Sequence, residues 1–397
     1  MGRRALAAAL VAGLGMGIAA SQATAKPTVL VQQDGFVRTV ERWGNWVAWT
    51  RCSTATGPTE VWARELGGAK RLVQVQGLTA PGCETGLKLH GVIGDEVIVT
   101  RPAEEGLEKL AAVNITNGAE RVFDTETKDA SGVVLNAADS YGPLVVWSRD
   151  RTTDRDRVAE LVTVDLRAKD PKPKIEWGTS SSNGKLRIDG VWQSGDGAIL
   201  YRQVTAGPPP TYQAGDAPSL RSQLILRRTN GTTYTVSSVA GPIRIADADI
   251  DRSNIMYSLI RTDSNSSWVY HRDLTRSARR LLASRANTVR PTYREGTSFP
   301  TVSVYGSKGA WHMRQRFPNR TFIDRMWGED LTFGRRSNIN AVPDTVQQRT
   351  FQSEPAVWGN FAQWAVVTHA GPSGWRGGYT GLSGHPATSQ IVMSAIR

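Results

Sequence analysis

One short apolar strand returns seven times along the chain, and this recurrence limits the fold more than any other feature. It reads Trp46-Val47-Ala48-Trp49, Val97-Ile98-Val99, Leu144-Val145-Val146-Trp147, Ala198-Ile199-Leu200-Tyr201 and Ile255-Met256-Tyr257. The last two copies are Ala310-Trp311-His312-Met313 and Phe361-Ala362-Gln363-Trp364. Anchored at Val47, Val97, Val145, Ile199, Met256, Trp311 and Ala362, the copies lie 50, 48, 54, 57, 55 and 51 residues apart. Periods of this size belong to arrays of supersecondary units, because one unit cannot bury its apolar face alone.

The flanks of the strand repeat as well. Trp43-Gly44, Tyr141-Gly142, Tyr305-Gly306 and Trp358-Gly359 set an aromatic beside Gly just before it. Gly supplies the positive φ that tight hairpin turns need. A third strand follows each copy, as in Val61-Trp62-Ala63, Leu161-Val162-Thr163-Val164 and Leu224-Ile225-Leu226. Fourth strands are legible at Arg71-Leu72-Val73, Thr233-Tyr234-Thr235-Val236 and Arg280-Leu281-Leu282. No amphipathic helix interrupts them. Four short strands in each of seven copies predict an all-β chain, a seven-bladed β-propeller of four-stranded antiparallel blades. The last copy has only three strands before the chain stops near Ile396. Thr28-Val29-Leu30-Val31 is expected to supply the fourth, closing the ring and hiding two sheet edges. The pattern resembles exported β-propellers of the TolB-like and WD-repeat-like type over residues 26–397, with an Asp-Gly turn at Asp196-Gly197. That resemblance implies the propeller fold.

The amino terminus reads as an address. Arg3 and Arg4 precede an uncharged Ala5–Ala20, and Ala23-Thr24-Ala25 fits a small-x-small cleavage site. Residues 1–25 are expected to be a secretory signal peptide, leaving 26–397 as one propeller domain that is secreted or periplasmic. The apolar run is shorter than the ~20 residues of a membrane span, and no later run reaches that length. Cys52 follows the second strand of the first copy. Cys83 lies between that copy's fourth strand and the next copy's first. With strands lettered A to D from the centre outward, both fall on the face of the B–C and D–A loops, so in an oxidising compartment a Cys52–Cys83 disulfide is expected.

That face also carries the candidate binding residues. Long B–C loops are expected at Ser148–Ala159, Ala206–Arg221 and His369–Ser389, the last carrying Trp375, Arg376 and Tyr379. A basic residue recurs near the end of strand B: Arg51, Arg101, Arg149, Arg202, Arg261 and Arg314, with His369 in the seventh copy. This is either a ring of guanidinium groups for a polyanion or carboxylate, or a set of local pairs with acids such as Glu60 and Glu160. The chain holds 48 Lys and Arg against 36 Asp and Glu, a formal +12. Residues 251–336 hold 16 basic and 7 acidic residues, a net +9, with local peaks at Arg279-Arg280 and Arg335-Arg336. Such a sector suits an anionic polymer, although no nucleic-acid motif accompanies it.

Signals for catalysis are sparse. There is no Gly-x-Ser-x-Gly elbow and no phosphate loop. Asp247, Asp249 and Asp251 alternate, but Arg252 and Ser258 stand where a calcium loop needs Gly and an acid, so they read as strand-edge and turn chemistry. His369 and His385 lack a third zinc ligand. No metal and no cofactor is expected. The repeats occupy the mature chain, so an enzyme would have to use Asp139, Asp189, Asp247 and Glu354 near the central channel. The leading expectation is a non-enzymatic exported scaffold that binds a protein or anionic envelope polymer through its loop-bearing face. The alternative is a propeller glycosidase or lyase acting on glycans.

Overall fold

The computed structural model describes residues 27–54, 57–67, 71–83, 86–128, 132–152, 156–181, 186–205, 221–261, 266–276, 278–285, 296–298, 301–316, 322–342, 350–369 and 386–397. These residues form seven antiparallel sheets, with a 3-10 turn at Glu104–Gly106. Blade one runs Phe36–Trp43, Trp46–Cys52, Thr59–Glu65 and Leu72–Ala80 as strands A to D. The same order fills blades two to five, whose A strands are Lys88–Ile93, Val133–Tyr141, Leu186–Gln193 and Ile243–Asp251. Each A strand touches the next blade's A strand, and the seventh touches the first, so the blades form a ring.

Every intact A strand carries a register shift, as between Val37 and Val40 or between Ile245 and Asp247. Blades six and seven are broken at the corresponding place, into Gly296–Ser298 plus Val302–Tyr305 and Thr350–Gln352 plus Ala356–Trp358. Such irregularities increase local twist and suit the innermost edge, where the sheets turn most sharply. Pro355, which has no N–H for a ladder, sits at the break in blade seven.

The recurrent apolar strand is strand B, sandwiched between neighbouring blades. Trp49, Trp147, Trp311, Trp364, Tyr201 and Tyr257 are its fully buried large side chains. Burying one such side chain contributes about 1.5–3 kcal/mol, which explains why an aromatic recurs there. The core is seven clusters between successive blades. One joins Val146 of blade three to Ile188 and Ile199 of blade four. Another joins Phe351, Val367 and Ile391 of blade seven to Phe36, Val47 and Trp49 of blade one.

Closure follows the expected route. Thr28–Asp34 pairs antiparallel with Ala387–Ala395, Thr28 opposite Met393 and Asp34 opposite Thr388, as the fourth strand of blade seven. Cys52 and Cys83 are joined, with Cα atoms 5.4 Å apart. One expected loop is instead strand. Leu144–Thr152 and Arg157–Asp165 extend through most of Ser148–Ala159. The charged residues pair across the hairpin: Arg149 and Arg151 with Glu160 at 2.8 and 3.1 Å, and Arg157 with Asp150 at 2.6 Å. Opposite charges across a ladder support strand pairing. Residues 1–26, 206–220 and 370–385 lie outside the described residues, and with them the expected signal peptide, most of the expected Ala206–Arg221 loop, Trp375, Arg376 and Tyr379.

Candidate acidic channel

The A–B turns bring together residues from distant parts of the chain. In five blades the first turn residue is Gly44, Gly94, Gly142, Gly306 or Gly359, with φ between +56° and +60°. Pro143 follows Gly142 and fixes a negative φ at the second turn position, selecting a type II′ turn there. The aromatic residues before four of these glycines meet at one end of the channel. Trp43 lies 4.9 Å from Tyr141 and 4.1 Å from Trp358 between ring centroids. Tyr305 lies 6.1 Å from Tyr141 and 4.6 Å from Trp358, which completes a circuit of four rings. Gly142 is needed twice over: an added Cβ would stand 2.7 Å from the Trp43 ring.

Behind the rings lies a cavity of about 180 Å³ lined by Glu41, Asp139, Asp247, Asp249 and Glu354. Strand periodicity sets this layering. Glu41 and Asp139 stand two residues before Trp43 and Tyr141, and Glu354 stands four before Trp358. Asp249 and Asp247 stand two and four before Asp251, the turn-flanking residue of blade five. Several of these carboxylates do structural work. The free inner edge of an A strand leaves N–H groups without ladder partners, and buried N–H groups must be satisfied. Val302, Val304 and Gly306 donate to Asp247, Asp249 and Asp251 at 2.9, 2.7 and 2.5 Å. The Gln193 N–H donates to Asp139 at 2.7 Å. The alternating run is thus strand-edge chemistry, and two of its members also face the channel.

Burial, reinforced for most of them by neighbouring like charges, leaves these acids reluctant to ionise. Burial, then the charge of Asp249, pushes Asp139 up to about 8. Burial pushes Asp249 up to about 7 against the N–H donors of Val304 and Ile250. Burial raises Asp247 well above the carboxylate range, and Glu354 adds to it. Glu41 is raised in the same way, by burial and then by Asp139 and Glu354. Glu354, which stays open to channel water, is raised by burial and partly relieved by Arg38. Among the described residues none of these five acids has an ion-pair partner, and no three His, Cys, Asp or Glu are placed to hold a metal ion.

The recurrent arginines are engaged elsewhere. Arg51 pairs with Glu60 at 3.6 Å and Arg101 with Glu120 at 2.6 Å. Arg149 bridges Asp124 and Glu160 at 2.9 and 2.8 Å. Arg314 holds the buried Asp324 at 2.6 Å. Arg202 holds Asp189 at 2.6 Å, so Asp189 belongs to that pair and does not line the channel. Arg261 and His369 end their B strands and also have partners. In the basic sector Arg280 and Arg336 both clamp Glu329, at 2.8 and 2.9 Å. Arg279 and Arg335 lie over the rings of Tyr270 and Phe333.

Of the four expected channel carboxylates, Asp139, Asp247 and Glu354 come together. Glu41 and Asp249 join them, and their signal in sequence was an acid two residues before the A–B turn.

No protein-family model matches the chain, and no curated protein matches its sequence. Solved structures match in shape. The β-propeller domain of the Trilobed protease from Pyrococcus furiosus is 8% identical, with a TM-score of 0.51, covering 84% of this chain and 92% of that one. That propeller has an open velcro topology, whereas here the first strand joins the last blade. A prolyl endopeptidase structure is 11% identical, with a TM-score of 0.53, over 91% of this chain and 51% of the other, so this chain spans about half its length. The polysaccharide lyase Uly1 is 6% identical over 91% of this chain and 90% of that one, with a TM-score of 0.49. At these identities the likeness shows the fold alone, a propeller scaffold. Among the described residues no helix is long and apolar enough to cross a membrane.

Proposed function

We propose that the chain is an exported, non-enzymatic propeller scaffold that holds a protein partner at its loop-bearing face, with the acidic channel receiving a cationic side chain of that partner. The carrying observation is the channel itself, where five carboxylates that have no ion-pair partner among the described residues share about 180 Å³. An entering ammonium or guanidinium group would relieve their mutual repulsion. Pockets for drug-sized ligands run to about 300–1,000 Å³, so this volume suits one side chain better than a glycan. Four aromatic rings occupy the A–B-turn mouth, which leaves the loop-bearing face as the route of entry. The amino-terminal signal pattern and the Cys52–Cys83 bond support export.

Fluorescence anisotropy of a labelled Lys- and Arg-bearing peptide tests the proposal. Binding should saturate, weaken with salt, and weaken at least tenfold in the Asp139→Asn/Asp249→Asn variant. Equal binding of a Glu-bearing peptide, or an unaffected variant, would overturn it. A glycan-acting enzyme is the second reading. The carboxyls of Asp139 and Asp249 favour it, because at about 8 and about 7 they keep a proton near neutral pH, as a general acid must. Cleavage of an envelope polysaccharide, lost on Asp139→Asn, would place this reading first.

A further inference from the structure

We infer a second site, for a phosphate- or sulfate-type oxyanion, between Arg272 and Arg279 on the outer strands of blade five. Ser267–Asp273 and Ala278–Arg285 pair antiparallel with Arg272 directly opposite Arg279. Side chains opposite one another have Cβ atoms about 4.5–5.5 Å apart, and like charges there destabilise the ladder. Among the described residues neither arginine has a carboxylate partner. Asp273, the nearest acid in sequence, turns to Arg276 at 3.5 Å and to Thr275. Glu329 of blade six is taken by Arg280 and Arg336.

Both guanidinium groups are nevertheless held in place. Arg272 lies 4.8 Å over the Tyr234 ring, donates through one Nη to the Val236 carbonyl at 3.0 Å, and has a buried Nε without a partner. Arg279 is exposed, lies 4.7 Å over the Tyr270 ring, and sits beside the Tyr257 hydroxyl. Stacking on an aromatic face fixes a guanidinium plane and leaves its edge donors available. Two fixed forks with unspent donors suit a dianion with several acceptor oxygens, since Arg–oxyanion contacts are commonly bidentate. Burial, and then proximity to Arg279, lowers the proton affinity of Arg272, and a bound anion would offset the second of these.

The anion's source is either a free ion or a repeated ester on a polymer. A polymer crossing the outer edge of blade five would meet more positive charge on the opposite face of the strand, where Arg280 turns toward blade six. Arg280 and Arg336 share the single Glu329, and Arg335 lies beyond it over the exposed Phe333. The inference does not rest on the acidic channel.

The test uses the full mature chain at constant ionic strength, with inorganic phosphate and a sulfated oligosaccharide as separate probes against chloride. In thermal-shift and calorimetric titrations wild type should bind phosphate, and the oligosaccharide should bind at least tenfold more tightly if the source is a polymer. Comparable binding of the two would identify a free ion. Arg279→Gln, a change at an exposed position, should reduce binding of either probe at least tenfold without lowering the melting temperature in chloride. Arg325→Gln serves as a basic-sector control and should leave binding intact. Phosphate and oligosaccharide effects no larger than chloride's, equal binding by Arg279→Gln, or equal loss in both variants would overturn the site.

Discussion

Asp139→Asn should make the protein more stable at pH 8 and much less so at pH 5. Asp139 sits at about 8 in the folded channel against an ordinary value of 3.8. Between these values the folded carboxyl keeps a proton that the unfolded carboxyl has lost, so stability falls as pH rises across the window. At about 1.4 kcal/mol per pKa unit, the cost would reach roughly 5–6 kcal/mol above pH 8 in a dry site. Channel water and the coupled neighbouring acids reduce this, and about 2–3 kcal/mol is the expected gain at pH 8. Asn has no proton to lose, and its side-chain oxygen can still accept the 2.7 Å bond from the Gln193 N–H. Urea midpoints of wild type and variant at pH 5 and pH 8 provide the assay. A variant weaker than wild type at pH 8, or midpoints that fall in parallel, would refute the reasoning.

Gly142→Ala should cost roughly 1–3 kcal/mol more than Gly94→Ala, because the turns share φ values of +56° and +57° but only the first has a ring, Trp43, against the new Cβ. Melting temperatures give the difference, and near-UV circular dichroism should change only for Gly142→Ala. Deleting residues 27–34 should lower the melting temperature sharply and promote association, because Ala387–Ala395 then presents an unpaired edge. An unchanged melting temperature would mean that the Thr28–Asp34 ladder contributes nothing. The Cys52–Cys83 bond, 31 residues apart in sequence, should be found by mass spectrometry of unreduced protein. Its loss in Cys52→Ser/Cys83→Ser should cost about 3–4 kcal/mol.

The blade count and ring closure were legible because they rest on periodicities of the chain itself. Strand B must be apolar on both faces, so Trp49, Trp147, Trp311 and Trp364 mark it in the sequence. The missing fourth strand of the last blade could be inferred by counting. The site was harder to read. The aromatic-Gly turns were visible, but the meeting of Trp43, Tyr141, Tyr305 and Trp358 is a consequence of ring closure between residues up to about 300 positions apart. Taken alone, Glu41 carries no distinguishing sequence signal, because one acid on a strand resembles a solvated edge until the blades are assembled. The arginine ring shows the opposite limit. Recurrence near the end of strand B is real, yet cross-strand and inter-blade acids neutralise Arg51, Arg101, Arg149, Arg202 and Arg314; Glu60 and Glu160 are legible as neighbours on the next strand, whereas Asp124 of the preceding blade meets Arg149 only once the blades assemble.

A cation entering the channel must displace protons. At pH 7 Asp139 at about 8 is mostly protonated and Asp249 at about 7 is half protonated. Calorimetric titration of a Lys-bearing peptide at pH 7, repeated in buffers of different ionisation enthalpy, counts those protons directly. Release of about one proton per peptide bound, lost in Asp139→Asn/Asp249→Asn, is the predicted result. Binding with no proton release, or the same release from the variant, would place the peptide outside the channel and contradict the proposed function.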